Sequence, residues 1–183
     1  MRDSYRLEEN VTQDVRVDAI VSLVQGVHHK TDQLGKIQLQ KMIYFLQETG
    51  VPLGYKFEIY HYGPYSFELS DQMSSLDSLG VLAIGADPSG YGFNIKVGSH
   101  ASKYQIDKKY SPKLDYIVNK FGTDSPAQLE VKSTVHFVNK VLKKQMKSLP
   151  EKLVVEKVKE LKPRFTEKFI SDCYGELKAM RLV

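Results

Sequence analysis

A chain of 183 residues with a single cysteine, Cys173, is long enough to bury one sizeable core without a metal or disulfide staple, and it has no internal disulfide framework. No run approaches the ~20 apolar residues of a membrane span, and "MRDSYRLEENVTQDVRV" lacks the apolar stretch of a secretory signal, so a cytoplasmic protein is expected. The net charge of +4 is uneven: residues 1–100 carry 8 Lys+Arg against 12 Asp+Glu, a net −4, and residues 101–183 carry 18 against 10, a net +8. Two surfaces that meet different partners, or each other across an oligomer, satisfy this asymmetry; so do lysines that only solvate outer helix faces.

Val17, Ile20, Val21, Val24 and Val27 recur as on one face of a helix over about 11–28. Leu39, Met42, Ile43 and Leu46 repeat the pattern over about 35–48, ahead of Gly50 and Pro52, with Phe45 and Gln38 on another side. In "YKFEIYHY" Phe57, Ile59 and His61 alternate with Lys56, Glu58 and Tyr60, as in a strand. "GPYSFELSDQMSSL" reads as a third helix with Pro64 at its first position and Tyr65, Leu69, Met73 and Leu76 turned inward. "GVLAIGA" and "YGFNIKV" are strand-like and joined by "DPSG", a hairpin signal.

Helix, helix, strand, helix, hairpin is the order of a winged-helix unit, expected over 1–98. A polar linker over 99–112 follows, then a helical region over 113–183 packed on that unit. In that region "SPKLDYIVNKF" is one helix. "SPAQLEVKSTVHFVNKVLKKQM" is a longer one, with Pro126 near its start and Val131, Val135, Val138 and Leu142 on its inner face. Ser148 and Glu151 have capping-box spacing before "KLVVEKVKEL", and Thr166 can cap "EKFISDCYGELKAM". The fold class is mainly helical α+β.

A winged helix invites a DNA reading, in which the third helix needs Lys or Arg for phosphate contacts. Between Gly63 and Gly80 there are none, while Glu68, Asp71 and Asp77 are negative. The hairpin tip "ADPSGYG" lacks them too. The alternative nucleic-acid face is the basic C-terminal pair of helices, with Lys143, Lys144, Lys147, Lys162 and Arg164, although Glu151, Glu156, Glu160 and Glu167 interleave as ordinary surface pairs. No Walker loop occurs, Ser66 lacks a nucleophile elbow, and "SGYGFN" reads as hairpin chemistry. None of His28, His29, His61, His100 and His136 stands in a metal-binding motif; His28 and His29 suit the C-terminal end of the first helix. Cys173 falls among Phe169, Ile170 and Leu177 as packing. No catalytic residue, cofactor or metal is expected.

Tyr55, Phe57, Tyr60, His61, Tyr62, Tyr65 and Phe67 crowd one short stretch. Alternation sends only part of them inward, and Tyr60, Tyr62 and Phe67 are expected to face out, where tyrosine gives large contact area at low entropic cost.

Leu39, Gln40, Lys41, Met42, Ile43 and Tyr44, followed by a strand and then Gly63 and Pro64, resemble the Panacea (SocA-like antitoxin) domain, over about residues 35–80. That family often has an apolar residue after Gly-Pro, where this chain has Tyr65. "ELKPRFTEKFI" also resembles the YwgA-like bacterial proteins. The resemblance implies a non-enzymatic module that neutralises a cognate toxin by direct contact, with SocA-like members also acting as protease adaptors and some relatives described as transcription regulators. On that reading the partner-binding face comprises Gln38, Lys41, Tyr60, Tyr62, Phe67, Glu68 and Asp71.

Overall fold

Every residue of the first apolar stripe, from Val17 to Val27, is buried, and the helix that carries it, α1, runs over Arg2–His28. The computed structural model describes the backbone of residues 2–87 and 92–183 and the side chains of 15–87 and 92–183. The "DPSG" turn signal lies mostly outside the described residues.

The chain continues through α2 (Lys36–Glu48), β1 (Glu58–Tyr60), β2 (Gly63–Tyr65), α3 (Phe67–Ser78), β3 (Leu82–Ala86) and β4 (Phe93–Val97). A 3-10 turn (Ala101–Lys103) leads to α4 (Ser111–Phe121), α5 (Pro126–Lys143), α6 (Glu151–Leu161) and α7 (Glu167–Ala179). Among the described residues, seven helices and two small antiparallel sheets make the protein mainly helical α+β, as its periodicities require. No helix among the described residues is long and apolar enough to cross a membrane.

Element order follows the winged-helix expectation, but strand pairing departs from it. The strand after α2 pairs with its own return strand, Ile59 opposite Pro64, and β3 pairs separately with β4. The β3–β4 hairpin is docked on the turn before α2: the Leu34 N–H donates to Asn94 Oδ1 (2.9 Å), and the Ile95 N–H donates to the Leu34 carbonyl (2.9 Å). His28 ends α1, as its expected capping place requires, with Nε2 2.7 Å from the Ile95 carbonyl oxygen. Residues 99–112 lie along α1, with Ala101 and Ile106 buried and the Ile106 N–H donating to Ser22 Oγ (2.9 Å).

Two helix starts differ from expectation for a local reason. Pro64 does not open α3; it sits in β2, and Ser66 caps the helix by accepting from the Leu69 N–H. A proline suits a strand position without a required N–H as well as a helix start, and a serine two residues on supplies the stronger cap. Consequently Tyr65 belongs to β2, while Leu69, Met73 and Leu76 form the inner stripe of α3. At α6 the N-cap is Pro150, without a side-chain cap, so the Ser148–Glu151 spacing is unused. Thr166 does cap α7, accepting from the Phe169 N–H.

α5 is the central helix. Leu129 to His136 are buried without interruption, a helix enclosed on all sides rather than on one stripe, and Leu142 is only half-buried. It packs against α2, α6, α7 and β2. Gly63 makes the last of these contacts: a Cβ there would lie 2.6 Å from Thr134 Oγ1 and 3.2 Å from the Glu130 carbonyl oxygen, and φ is +86°. Both conditions exclude a side chain. Gly63→Ala is expected to cost about 2–4 kcal/mol, from left-handed strain and overpacking together. Urea unfolding measures it, and a loss under about 1 kcal/mol means that α5 yields freely at this contact.

Candidate functional site

The second helix works as a rail along which the following segment is fixed. Gln47 and Gln40, two turns apart, each clamp one backbone residue through both halves of the amide. Gln47 accepts from the Tyr55 N–H (2.8 Å) and donates to the Tyr55 carbonyl (3.0 Å). Gln40 accepts from the Ser66 N–H (3.1 Å) and donates to the Ser66 carbonyl (2.8 Å). Between them the Lys41 ammonium donates to the Pro64 carbonyl at 2.6 Å. Residues 55–66 are thereby held at three points, and the Gly63–Pro64 pair is pressed between α2 and α5.

Lys41 is 0% exposed. Desolvation brings its pKa down to about 7, against the opposing pull of the Glu130 carboxylate, with Lys162 adding to the fall. Nearby, the Tyr44 hydroxyl and His136 Nδ1 share a hydrogen bond (2.6 Å) inside a cage of aromatic rings that includes Phe45 and Phe57. Burial holds the His136 imidazole down to about 4, which keeps it neutral and able to accept, and burial with the Glu48 carboxylate pushes the Tyr44 hydroxyl up.

A second buried set lies on the far side of the β1–β2 turn. Glu130, 2% exposed, pairs with Lys162 at 3.1 Å and with Arg164. Lys162, 5% exposed, also donates to the His61 carbonyl, while Arg164 is 54% exposed and stands over the Tyr62 ring, 5.6 Å from its centre. One carboxylate therefore pairs with two cationic side chains, and its field also reaches the Lys41 amino group.

Outside this frame is an aromatic patch. Tyr60, Tyr62 and Phe67 are 46%, 48% and 50% exposed, as alternation anticipated. Tyr60 meets Phe67 edge-on at 5.4 Å, and Tyr65 meets Phe67 at 5.1 Å. His61, expected on the inner side of a longer strand, is exposed, because the chain reverses after Tyr60. Tyr62 occupies the turn, apart from the Tyr60–Phe67 pair.

The remaining expected face divides. Lys41 is interior and cannot touch a partner, which removes it from that face: its ammonium is taken by the Pro64 carbonyl and its stem by the core. Gln38 is half-buried, accepting from the Gly35 N–H (2.8 Å) and donating to the Asp124 carbonyl (3.1 Å). Glu68 is exposed but paired with Arg16 of α1 at 2.6 Å; Asp71 is exposed on the next turn of α3. Among the basic residues, Lys143, Lys144 and Lys147 are exposed at and after the end of α5. Lys162 is buried, which removes it from a phosphate-binding stripe, while Arg164 is half-exposed and paired with Glu130. Sequence periodicity missed Gln40, Gln47 and Glu130, since polar residues are read as outward; the one available signal was the repeat of glutamine two turns apart. Cys173 is buried, and burial pushes its thiol up to about 12.

No protein-family model matches the chain. The chain is 43% identical over 49 residues to the uncharacterized protein YwgA of Bacillus subtilis (strain 168), a stretch that covers 27% of this chain and 30% of that protein. The match thus spans less than a third of either, a partial likeness to a YwgA-like protein.

Gln40→Met should destabilise the fold by about 1–3 kcal/mol, because it leaves the buried Ser66 N–H unpaired, while the Ser66 carbonyl keeps the Ser70 N–H. Chemical denaturation checks this; a neutral effect places Ser66 within reach of water. Lys41 is held below its unfolded value, so the native state lacks a proton that the unfolded chain binds between pH 7 and 10.5. Its contribution to stability is full above 10.5 and is lost as pH falls toward 7, at up to about 1.4 kcal/mol per pH unit. Lys41→Met should flatten the rise of stability with pH across that window relative to the parent, measured by urea unfolding at several pH values. Parallel slopes would mean that Lys41 stays charged in the folded protein.

Proposed function

We propose that this chain is a non-enzymatic protein-binding module of antitoxin type, which neutralises a cognate toxic protein by direct contact and is suited to present it to a protease. The observation that carries this reading is the half-exposed Tyr60–Phe67 pair, with Tyr62 half-exposed on the adjoining turn, on a backbone that buried side chains of α2 hold from beneath. Single exposed rings are ordinary, but three on one short segment are the composition of an interface centre. The edge-on pairing of Tyr60 with Phe67 fixes their directions before binding, which lowers the entropy lost on association. Acidic Glu68 and Asp71 beside them disfavour a nucleic-acid backbone. The Panacea-like pairing of Leu39–Tyr44 with Gly63–Pro64 supports the same reading, since Gln40 and Lys41 of that motif hold the segment in place.

The test is genetic and then physical. A short neighbouring reading frame should encode a protein that is toxic alone, rescued by this chain and co-purified with it. Tyr60→Ser with Phe67→Ser should weaken that complex by about 100-fold or more, as loss of central aromatic anchors does. Rescue and affinity unchanged by the double substitution would overturn the assigned face.

A regulator acting through DNA is the second reading, favoured by the exposed lysines Lys143, Lys144 and Lys147 between α5 and α6. It requires salt-sensitive retention on DNA that falls on charge reversal of these three, and no retention at low salt ends it.

A further inference from the structure

Arg164 is the only member of the buried charge cluster that reaches solvent to half its extent. A guanidinium has five N–H donors. Among the described residues Arg164 makes one hydrogen bond, from Nη2 to Glu130 Oε2, which leaves four donors for another acceptor. Its plane rests against two rings, with its centre 5.6 Å from that of Tyr62 and 4.6 Å from that of Phe165. Two hollows open beside it. One, of about 340 Å³, is lined by His61, Tyr62, Glu130, Leu161, Lys162, Pro163 and Arg164. The other, of about 380 Å³, shares Tyr62, Glu130 and Arg164 and runs on to Pro126 and Phe165.

Charge selects what can enter. Glu130 cannot neutralise Lys162 and Arg164 together, so the first hollow, which all three line, has an excess of positive charge. A cation would add to that excess, while a carboxylate would relieve it and complete the guanidinium bidentately. Both hollows are lined by Tyr62, Glu130 and Arg164, so an extended segment that enters one can continue across Arg164 into the other. Tyr62, Leu161 and Phe165 give apolar footing on both sides.

We propose that Arg164 and Tyr62 anchor a groove for an internal acidic segment of a protein partner, whose Asp or Glu carboxylate takes the free guanidinium donors while neighbouring apolar residues lie on Leu161 and Phe165. This rests on the protein-binding reading and adds to it the chemistry of the partner. It also gives Arg164 two roles at once, as a lid on the buried Glu130 and as a receptor for a second carboxylate.

The full isotope-labelled chain is titrated with short peptides, acetylated and amidated, with apolar residues around one central Glu, and with the same peptides carrying Gln. The expected result is a shift of the backbone amides of Tyr62, Lys162, Arg164 and Phe165, with at least about tenfold weaker binding for Gln, the loss of a charge-assisted pair. Arg164→Gln should abolish the difference between the two peptides, and Arg164→Lys should retain part of it. The Glu-to-Gln comparison on the parent protein stands by itself if an Arg164 variant fails to fold. Equal binding of Glu and Gln peptides, or shifts limited to Tyr60 and Phe67, overturns the carboxylate groove while the protein-binding reading stands. No shift with either peptide also overturns the groove, and co-purification with the toxic protein then decides the broader reading alone. Inorganic phosphate or duplex DNA shifting the same amides more strongly than the Glu peptides would assign the site to phosphate instead and overturn the proposal.

Discussion

The burial of the Lys41 ammonium is the constraint on which the front of this molecule depends. An ammonium removed from water needs a fixed acceptor, and the Pro64 carbonyl is the one supplied. Pro64 can be reached only if the chain reverses after Tyr60 and returns along α2, which the β1–β2 pairing and the left-handed Gly63 accomplish. That return brings Ser66 beside Gln40, and Ser66 then starts α3. Hairpin, turn and helix start are therefore consequences of one buried charge and its neighbours on α2. The Glu130 carboxylate supports the charged form of Lys41 from α5, so the front segment and the helical back share a single electrostatic unit.

This sharing changes the meaning of the charge asymmetry. Part of the acidic front and basic back meet inside the chain: Glu48 of α2 pairs with Lys140 of α5 at 2.7 Å, and Lys162 donates to carbonyls of the β1–β2 turn. What is left outside is smaller and more local. Glu68 and Asp71 border the aromatic patch, and Lys143, Lys144 and Lys147 lie at the other end of α5. Arg164 falls between these extremes, its charge half-spent on Glu130 and half turned to solvent.

Helices were legible where one apolar stripe met water on the other side, as in α3 and α4, and the outward ring of Tyr60 was legible from strand alternation. The errors share one cause. Periodicity assigns every lysine, glutamine and glutamate outward, whereas Gln40, Lys41, Gln47, Glu130 and Lys162 are held by specific acceptors and donors that no spacing reveals. α5 shows the same effect at the scale of an element: its polar residues looked like a wet face, yet Ser133 and Thr134 bond back to the Glu130 carbonyl and Lys132 pairs with Asp124. Pro64 misled for the opposite reason, because one residue type satisfies two different local geometries.

Along residues 58–67 the two functions of the segment are separated atom by atom. Its fixing points are backbone groups of Pro64 and Ser66, and its outward chemistry is carried by the side chains of Tyr60, Tyr62 and Phe67. Backbone fixing is indifferent to side-chain identity, so the exposed rings can be exchanged without disturbing the hydrogen bonds that position them. Exchanges of that kind sit among surface changes, which commonly move stability by only about 0.5 kcal/mol, whereas Gly63 admits no side chain at all. A scaffold built in this way can alter its exposed surface while keeping how it is held. The limit on such change is set at Tyr62, whose ring is packed against the Arg164 guanidinium and so belongs to the frame as well as to the surface.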